Sequence, residues 1–154
     1  DYLVFTSSGL VKHHPYYQSF SPAGNDAWIF NTNDQEENGI SDIKAPASAL
    51  LGVFLPAKQP DSSIAPSSLI FETAEQRNYF VISPKVNQVF FIGNGRSYLG
   101  IKQRVIVPKG ATRFYLGTMD SCYWHDNTGF FDVEITKFNF RVKNIVFSRL
   151  LSLY

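Results

Sequence analysis

Cysteine is almost missing from this chain. Cys122 stands alone among 154 residues, so no disulfide can close within it, and redox chemistry leaves its compartment unread. No apolar run approaches the roughly 20 residues of a membrane-spanning helix, so membrane insertion is not expected. Asp1-Tyr2-Leu3 lacks the basic region and apolar stretch of a signal peptide. Lys and Arg are scattered singly and the net charge is +1; without a dense basic stripe to release counterions, nucleic acid is not an expected partner. Internal repeats and low-complexity stretches are missing too. Helix signals are scarce: only Ser48 to Leu51 and Ala74 to Arg77 qualify, and neither sustains a 3.6-residue period.

What remains is rich in strand formers. Hydrophobic residues make up 44% and charged residues 18%, which excludes disorder, and fourteen Phe and eight Tyr favour pleated, half-buried surfaces. The length fits one domain. Strands are expected at Leu3 to Thr6, Ala27 to Asn31, Leu50 to Leu55, Tyr79 to Ile82, Val89 to Ile92, Gln103 to Val107 and Arg113 to Leu116. Gly93-Asn94-Gly95 reads as a hairpin turn, since Gly and Asn tolerate positive φ. The stretches Pro56 to Pro66 and Pro108 to Gly110 read as surface loops. Phe131, Val133 and Ile135 alternate with polar residues. The apolar phase then slips to Phe138, Phe140 and Val142, so a bulge or strand break is expected near Thr136-Lys137. Eight to ten short antiparallel strands with frequent turns imply an all-β sandwich or barrel.

The segment Gly117 to Gly129 carries the chemistry. It holds Asp120, Asp126 and Asn127, three hard oxygen donors, within eight residues, between two strands that hold its ends. Calcium takes about six to eight oxygens from carboxylates, amides and carbonyls in flexible geometry, and such a loop can supply them. The same residues also suit turn capping by bonds to nearby backbone N–H groups, and spacing alone leaves both readings open. Tyr123, Trp124 and His125 lie beside the oxygen donors; aromatic faces pack on the apolar faces of sugars, and ring N–H groups reach hydroxyls. Trp124 reads equally well as packing into the sandwich edge.

Other constellations carry less. His13-His14 and Cys122-x-x-His125 have zinc-ligand residue types, but adjacent histidines on a strand point to opposite faces, and a tetrahedral site needs convergent ligands. His13 and His14, before Pro15, are expected in a solvated loop. Cys122, near two carboxylates, reads as an unreactive thiol. No Gly-x-Ser-x-Gly elbow is present, and Asp120 and Asp126 cannot serve as a glycosidase pair while sharing one cation, so catalysis is not expected.

The run Val107-Pro108-Lys109-Gly110-Ala111-Thr112-Arg113-Phe114-Tyr115-Leu116-Gly117-Thr118-Met119-Asp120, followed by Trp124-His125-Asp126-Asn127-Thr128-Gly129, resembles the signature of bacterial PA-IL-type lectins. Those are calcium-dependent, galactose-binding jelly-roll sandwiches. Ile43-Lys44-Ala45-Pro46, Leu50 to Leu55, Ala65-Pro66 and Gln88 to Gly93 are similar to the broader family, so the resemblance covers about Ala27 to Ile135 of one domain. Residues 1–20 and 138–154 lie outside it and read as extra strands or, for the tail, cover for a subunit interface.

The resemblance implies a jelly-roll fold and Ca²⁺ held by Asp120, Asp126 and Asn127, with backbone carbonyls at Trp124 and near Asn31. Sugar hydroxyls would complete the coordination, and Asp120, Tyr123, His125, Asn127 and the loop from Asn31 to Ser41 would contact or choose the ligand. The loop between Asp120 and Asp126 is one residue shorter than in the family's galactose binder. The His-Pro stretch that holds galactose there has no match between Thr32 and Pro46. Calcium therefore carries over better than galactose. The implied function is a secreted, cell-surface or periplasmic carbohydrate-binding protein with a galactose-type glycan as partner, oligomeric for avidity. The alternative is a secreted structural or protein-interaction sandwich in which the calcium loop only stabilises the fold.

Overall fold

The structure is a computed structural model that describes residues 1–32, 38–59, 61, 63–121 and 124–140. The described residues fold as an all-β sandwich of ten strands: β1 (Tyr2–Lys12), β2 (Asn25–Asn31), β3 (Ile43–Ala47), β4 (Leu50–Leu55), β5 (Leu69–Ile70), β6 (Val81–Ile82), β7 (Val89–Phe91), β8 (Arg104–Ile106), β9 (Arg113–Thr118) and β10 (Thr128–Phe138). They form three sheets, ordered β10-β1-β8-β6, β2-β3-β5 and β7-β4-β9. Pairing is antiparallel except for β3 with β5 and β6 with β8. Among the described residues no helix is long and apolar enough to cross a membrane.

β4 shows how sequence sets position. Leu50, Leu51, Phe54 and Leu55 are all buried, as expected for a central strand covered on both faces and flanked by β7 and β9. Phe54 meets Phe90 and Phe114 at ring-centroid distances of 5.5 and 4.9 Å, and Phe114 meets Phe5 of β1 at 5.7 Å, joining two sheets through one aromatic cluster. Ala74–Arg77 forms the single short α-helix (α1) among the described residues. It starts on a capping box in which Thr73 and Gln76 exchange side-chain and backbone bonds. The other helix candidate, at Ser48, is a turn with φ 63° leading into β4.

Two expectations are corrected. Gly93 and Gly95 do adopt positive φ, but the turn is not a hairpin: β7 lies beside β4, and the chain passes from there to a different sheet. Nor is there a bulge near Thr136-Lys137, since the β1–β10 register runs unbroken from Lys12↔Thr128 to Tyr2↔Phe138. The apolar phase slips for another reason. Phe138 stacks on its cross-strand partner Tyr2 at 5.1 Å, and Phe140 packs on the same ring at 5.2 Å, so an aromatic cluster forms there without a break in the strand. Val142 lies outside the described residues.

Tyr79 ties the helix region to the core: its hydroxyl donates to the Phe91 carbonyl at 2.7 Å, and burial pushes the phenol well above its ordinary ionisation range. A raised folded-state value means that the contribution is complete below the unfolded phenol's pKa, about 10, and is lost as pH rises above it. Tyr79→Phe is expected to lower stability by about 1 kcal/mol at neutral pH. It should also flatten the alkaline fall in melting temperature, read by unfolding scans from pH 8 to 11; an unchanged alkaline limb would refute the assignment.

Candidate functional site

The β1–β10 ladder builds the site. Because Lys12 pairs with Thr128, the residues just beyond each strand end, His13 and Asn127, become neighbours despite their distance in sequence. Gly9 and Gly129 make this approach possible. Both have positive φ, and a Cβ at Gly129 would lie 2.2 Å from the Leu10 carbonyl oxygen. The chain from Lys12 to Phe20 then closes on itself through paired backbone bonds between Val11 and Phe20, at 2.9 and 2.8 Å, with Tyr17 N–H donating to the His14 carbonyl.

A third segment locks this corner. Ser48, in the β3–β4 turn, shares a 2.8 Å hydrogen bond with His13 Nδ1, and its N–H donates to the Met119 carbonyl. The end of β9 is thereby fixed, and Asp120 follows it, buried at 4% exposure. His13 is also 4% exposed, which corrects the expectation of a solvated loop. Burial holds its imidazole below the ordinary histidine value; the negative charges of Asp120 and Asp126 act in the opposite, weaker sense. His13 Nε2 has no hydrogen-bond partner among the described residues.

These segments enclose an open cavity of about 570 Å³, lined by His13, His14, Tyr17, Trp28, Asp120 and Asp126 among others. The volume falls within the about 300–1,000 Å³ of small-ligand sites. Trp28 reaches it through a bulge. Asn25 pairs with Ala47 and Ile29 with Pro46, so Asp26, Ala27 and Trp28 loop out where β3 advances by one residue. Tyr17 and Trp28 meet edge-on at 4.6 Å, and both pack on the His13 ring.

Asn127, Asp120 and the His13 carbonyl meet directly. Asn127 places one terminal atom of its amide 2.8 Å from Asp120 Oδ2 and 3.0 Å from the His13 carbonyl oxygen, and the other 3.2 Å from Thr118 Oγ1. With nitrogen toward Asp120, the amide donates to both oxygens and accepts from Thr118. With oxygen toward Asp120, three oxygens crowd together with no proton between them. Asp126 lies on a single turn of 3₁₀ helix, Trp124–Asp126. Its Oδ2 is 3.7 Å from His14 Nε2, and its buried Oδ1 has no hydrogen-bond partner among the described residues.

The sequence-derived site residues therefore divide. Asn127 lies against Asp120, and Asp120 and Asp126 line one cavity, while Trp124 is 46% exposed and its indole donates to the Thr118 carbonyl at 3.3 Å. Trp124 borders a second, mostly apolar groove with Leu116 and Met119. His125 is exposed on the 3₁₀ turn. Asn31 is exposed at the end of β2, opposite Lys44, whereas the carbonyl that reaches Asn127 belongs to His13. Tyr123 and Cys122 lie outside the described residues, as do residues 33–37 of the expected ligand-choosing loop. Among the described residues no three His, Cys, Asp or Glu side chains group as metal ligands, so a cation here depends on the Asn127 amide and on carbonyls. Sequence reasoning missed His13, His14, Tyr17 and Trp28; the faint signal was a cluster of His and Tyr directly after a strand.

No family model, curated protein or solved structure matches this chain.

Proposed function

We propose that this protein is a calcium-dependent carbohydrate-binding domain. The observation that carries the reading is the oxygen cluster formed by Asp120, Asn127 and the His13 carbonyl. Two oxygens bound to one Ca²⁺ at about 2.4 Å, at the close angles of a seven-coordinate shell, lie about 2.8–3.0 Å apart. The 2.8 and 3.0 Å separations around the Asn127 amide have that size, and turning the amide over supplies the third oxygen. The unpartnered Asp126 Oδ1 fits the same need, because a buried carboxylate oxygen without a hydrogen-bond donor is costly unless a cation or proton satisfies it. Two carboxylates balance the charge of one Ca²⁺, and such an ion supplies open coordination positions for sugar hydroxyls. Asp120, Asp126, Asn127 and the His13 carbonyl would hold it. Single-site affinity for sugars is modest, so presentation in several copies would provide avidity.

Thermal unfolding in chelator, with Ca²⁺ added back, tests this. At about 100 times its Kd, Ca²⁺ should raise the melting temperature by about 5–10 °C, and Asp126→Ala should lose most of that shift. Capture on immobilised neutral glycans should disappear in chelator. If neither protein shifts, the three side chains are turn caps and the reading fails. A calcium shift without glycan capture would instead favour a sandwich whose cation only stabilises the fold.

A further inference from the structure

We infer that the sugar-selecting surface of this site is the aromatic wall of Tyr17 and Trp28, and that its ligand is a neutral pyranoside with a continuous apolar C–H face. The inference rests on the carbohydrate reading above but assigns the choice of ligand to residues that reading does not need. Tyr17 comes from the closed loop after β1 and Trp28 from the β2 bulge, so two unrelated segments deliver aromatic rings to one cavity. Both rings remain partly exposed, Tyr17 at 43% and Trp28 at 39%, although each packs on the buried His13 ring. Rings held by such contacts and still partly exposed form a preformed apolar surface, which reduces the entropy lost when a ligand covers it.

Charge then narrows the ligand class. Asp120 and Asp126 are the acidic side chains lining the cavity, His13 and His14 line it too, with His14 Nε2 3.7 Å from Asp126 Oδ2, and no Lys or Arg lines it among the described residues. With the two carboxylates already balancing one Ca²⁺, an acidic sugar would be opposed by the uncompensated charge it brings to a cavity that no Lys or Arg lines among the described residues. A neutral pyranoside meets no such opposition. One face of the sugar would cover Trp28, its hydroxyls would turn toward the oxygen cluster, and His13 Nε2 is the buried polar atom at that wall which a hydroxyl would satisfy.

Titration calorimetry in Ca²⁺ tests this, using methyl β-galactopyranoside, methyl β-glucopyranoside, methyl α-mannopyranoside and methyl β-glucuronide on wild type, Trp28→Leu and Tyr17→Ala. At least one neutral glycoside should bind wild type, with the glucuronide weaker. Both variants should bind it about tenfold or more weakly while keeping the wild-type calcium shift in melting temperature. That retained shift separates loss of the wall from loss of fold. Equal glycoside affinity in wild type and Trp28→Leu would overturn the wall, as would a glucuronide bound as tightly as the glucoside, with the calcium reading left standing. Wild type that shifts with Ca²⁺ yet binds none of the four overturns both the wall and the carbohydrate reading.

Discussion

Asn127→Asp is expected to make folding depend on calcium. The substitution keeps the shape of the side chain but places a second carboxylate where the amide now lies 2.8 Å from Asp120 Oδ2 and 3.0 Å from the His13 carbonyl. In chelator, two donated hydrogen bonds are replaced by repulsion between like charges around a buried carboxylate, at a cost of about 3 kcal/mol. For a chain of this size that is a fall of about 6–12 °C in melting temperature. In excess Ca²⁺ the added charge becomes an additional ligand. The calcium-induced shift should then exceed that of wild type, returning most of the lost stability. A site built only from the amide hydrogen bonds gives another result: the variant is destabilised by the same amount with and without Ca²⁺. Unfolding scans of both proteins in chelator and in millimolar Ca²⁺ separate these outcomes. Asn127→Leu, which removes the oxygen without adding charge, should lose stability in both buffers and lose much of the calcium shift.

The contrast between Asp120 and His13 shows what was legible in the chain. The loop from Gly117 to Gly129 announces itself because its oxygen donors lie within eight residues, so local spacing alone keeps Asp120, Asp126 and Asn127 in one loop. β4 is equally plain: Leu50 to Leu55 is a compact apolar run, and the strand has those same ends. His13 has no such local signature. Its place beside Asn127 depends on the register of an 11-residue ladder between two strands far apart in sequence, and no periodicity encodes which strands pair. Ser7, Ser8 and Gly9 also interrupt the apolar pattern of β1, which made that strand look four residues long. Trp28 is hidden for a further reason. A simple alternation through Ala27 to Asn31 assigns it to a sheet face, whereas the bulge opposite Pro46 and Ala47 carries it to the cavity. β3 carries no plain strand signal, because Pro46 lacks the N–H that a ladder uses. Pro46 is tolerated there because β5 pairs only with Ile43 and Lys44, so the ladder on that side ends before the proline.

Gly95→Ala should be the most damaging single-methyl change at any turn, and Gly100→Ala is its control. Both glycines have positive φ, 75° and 73°, so each substitution carries the left-handed penalty of about 1–2 kcal/mol for an L-residue. They differ in surroundings. A Cβ at Gly100 meets nothing within 4 Å, whereas one at Gly95 would lie 2.2 Å from the Phe5 carbonyl oxygen and 2.8 Å from its carbonyl carbon. Those are backbone atoms of a strand paired with β10 at Phe5 itself and with β8 up to Val4, so they cannot move aside as a flexible side chain would. Gly95 is also bonded in place: its N–H donates to the Ile92 carbonyl at 3.1 Å and its carbonyl accepts from Gln103 N–H at 2.9 Å. The chain crosses here from the sheet of β4 to the sheet of β1, and Phe5 anchors the aromatic cluster that joins them. Relief of the clash must therefore pull the crossover away from β1 and open the core at Phe5. Denaturant titrations should give a loss of roughly 3–5 kcal/mol for Gly95→Ala against roughly 1–2 kcal/mol for Gly100→Ala. Equal losses would mean that the close approach of this turn to β1 contributes nothing, and that the two sheets are joined elsewhere.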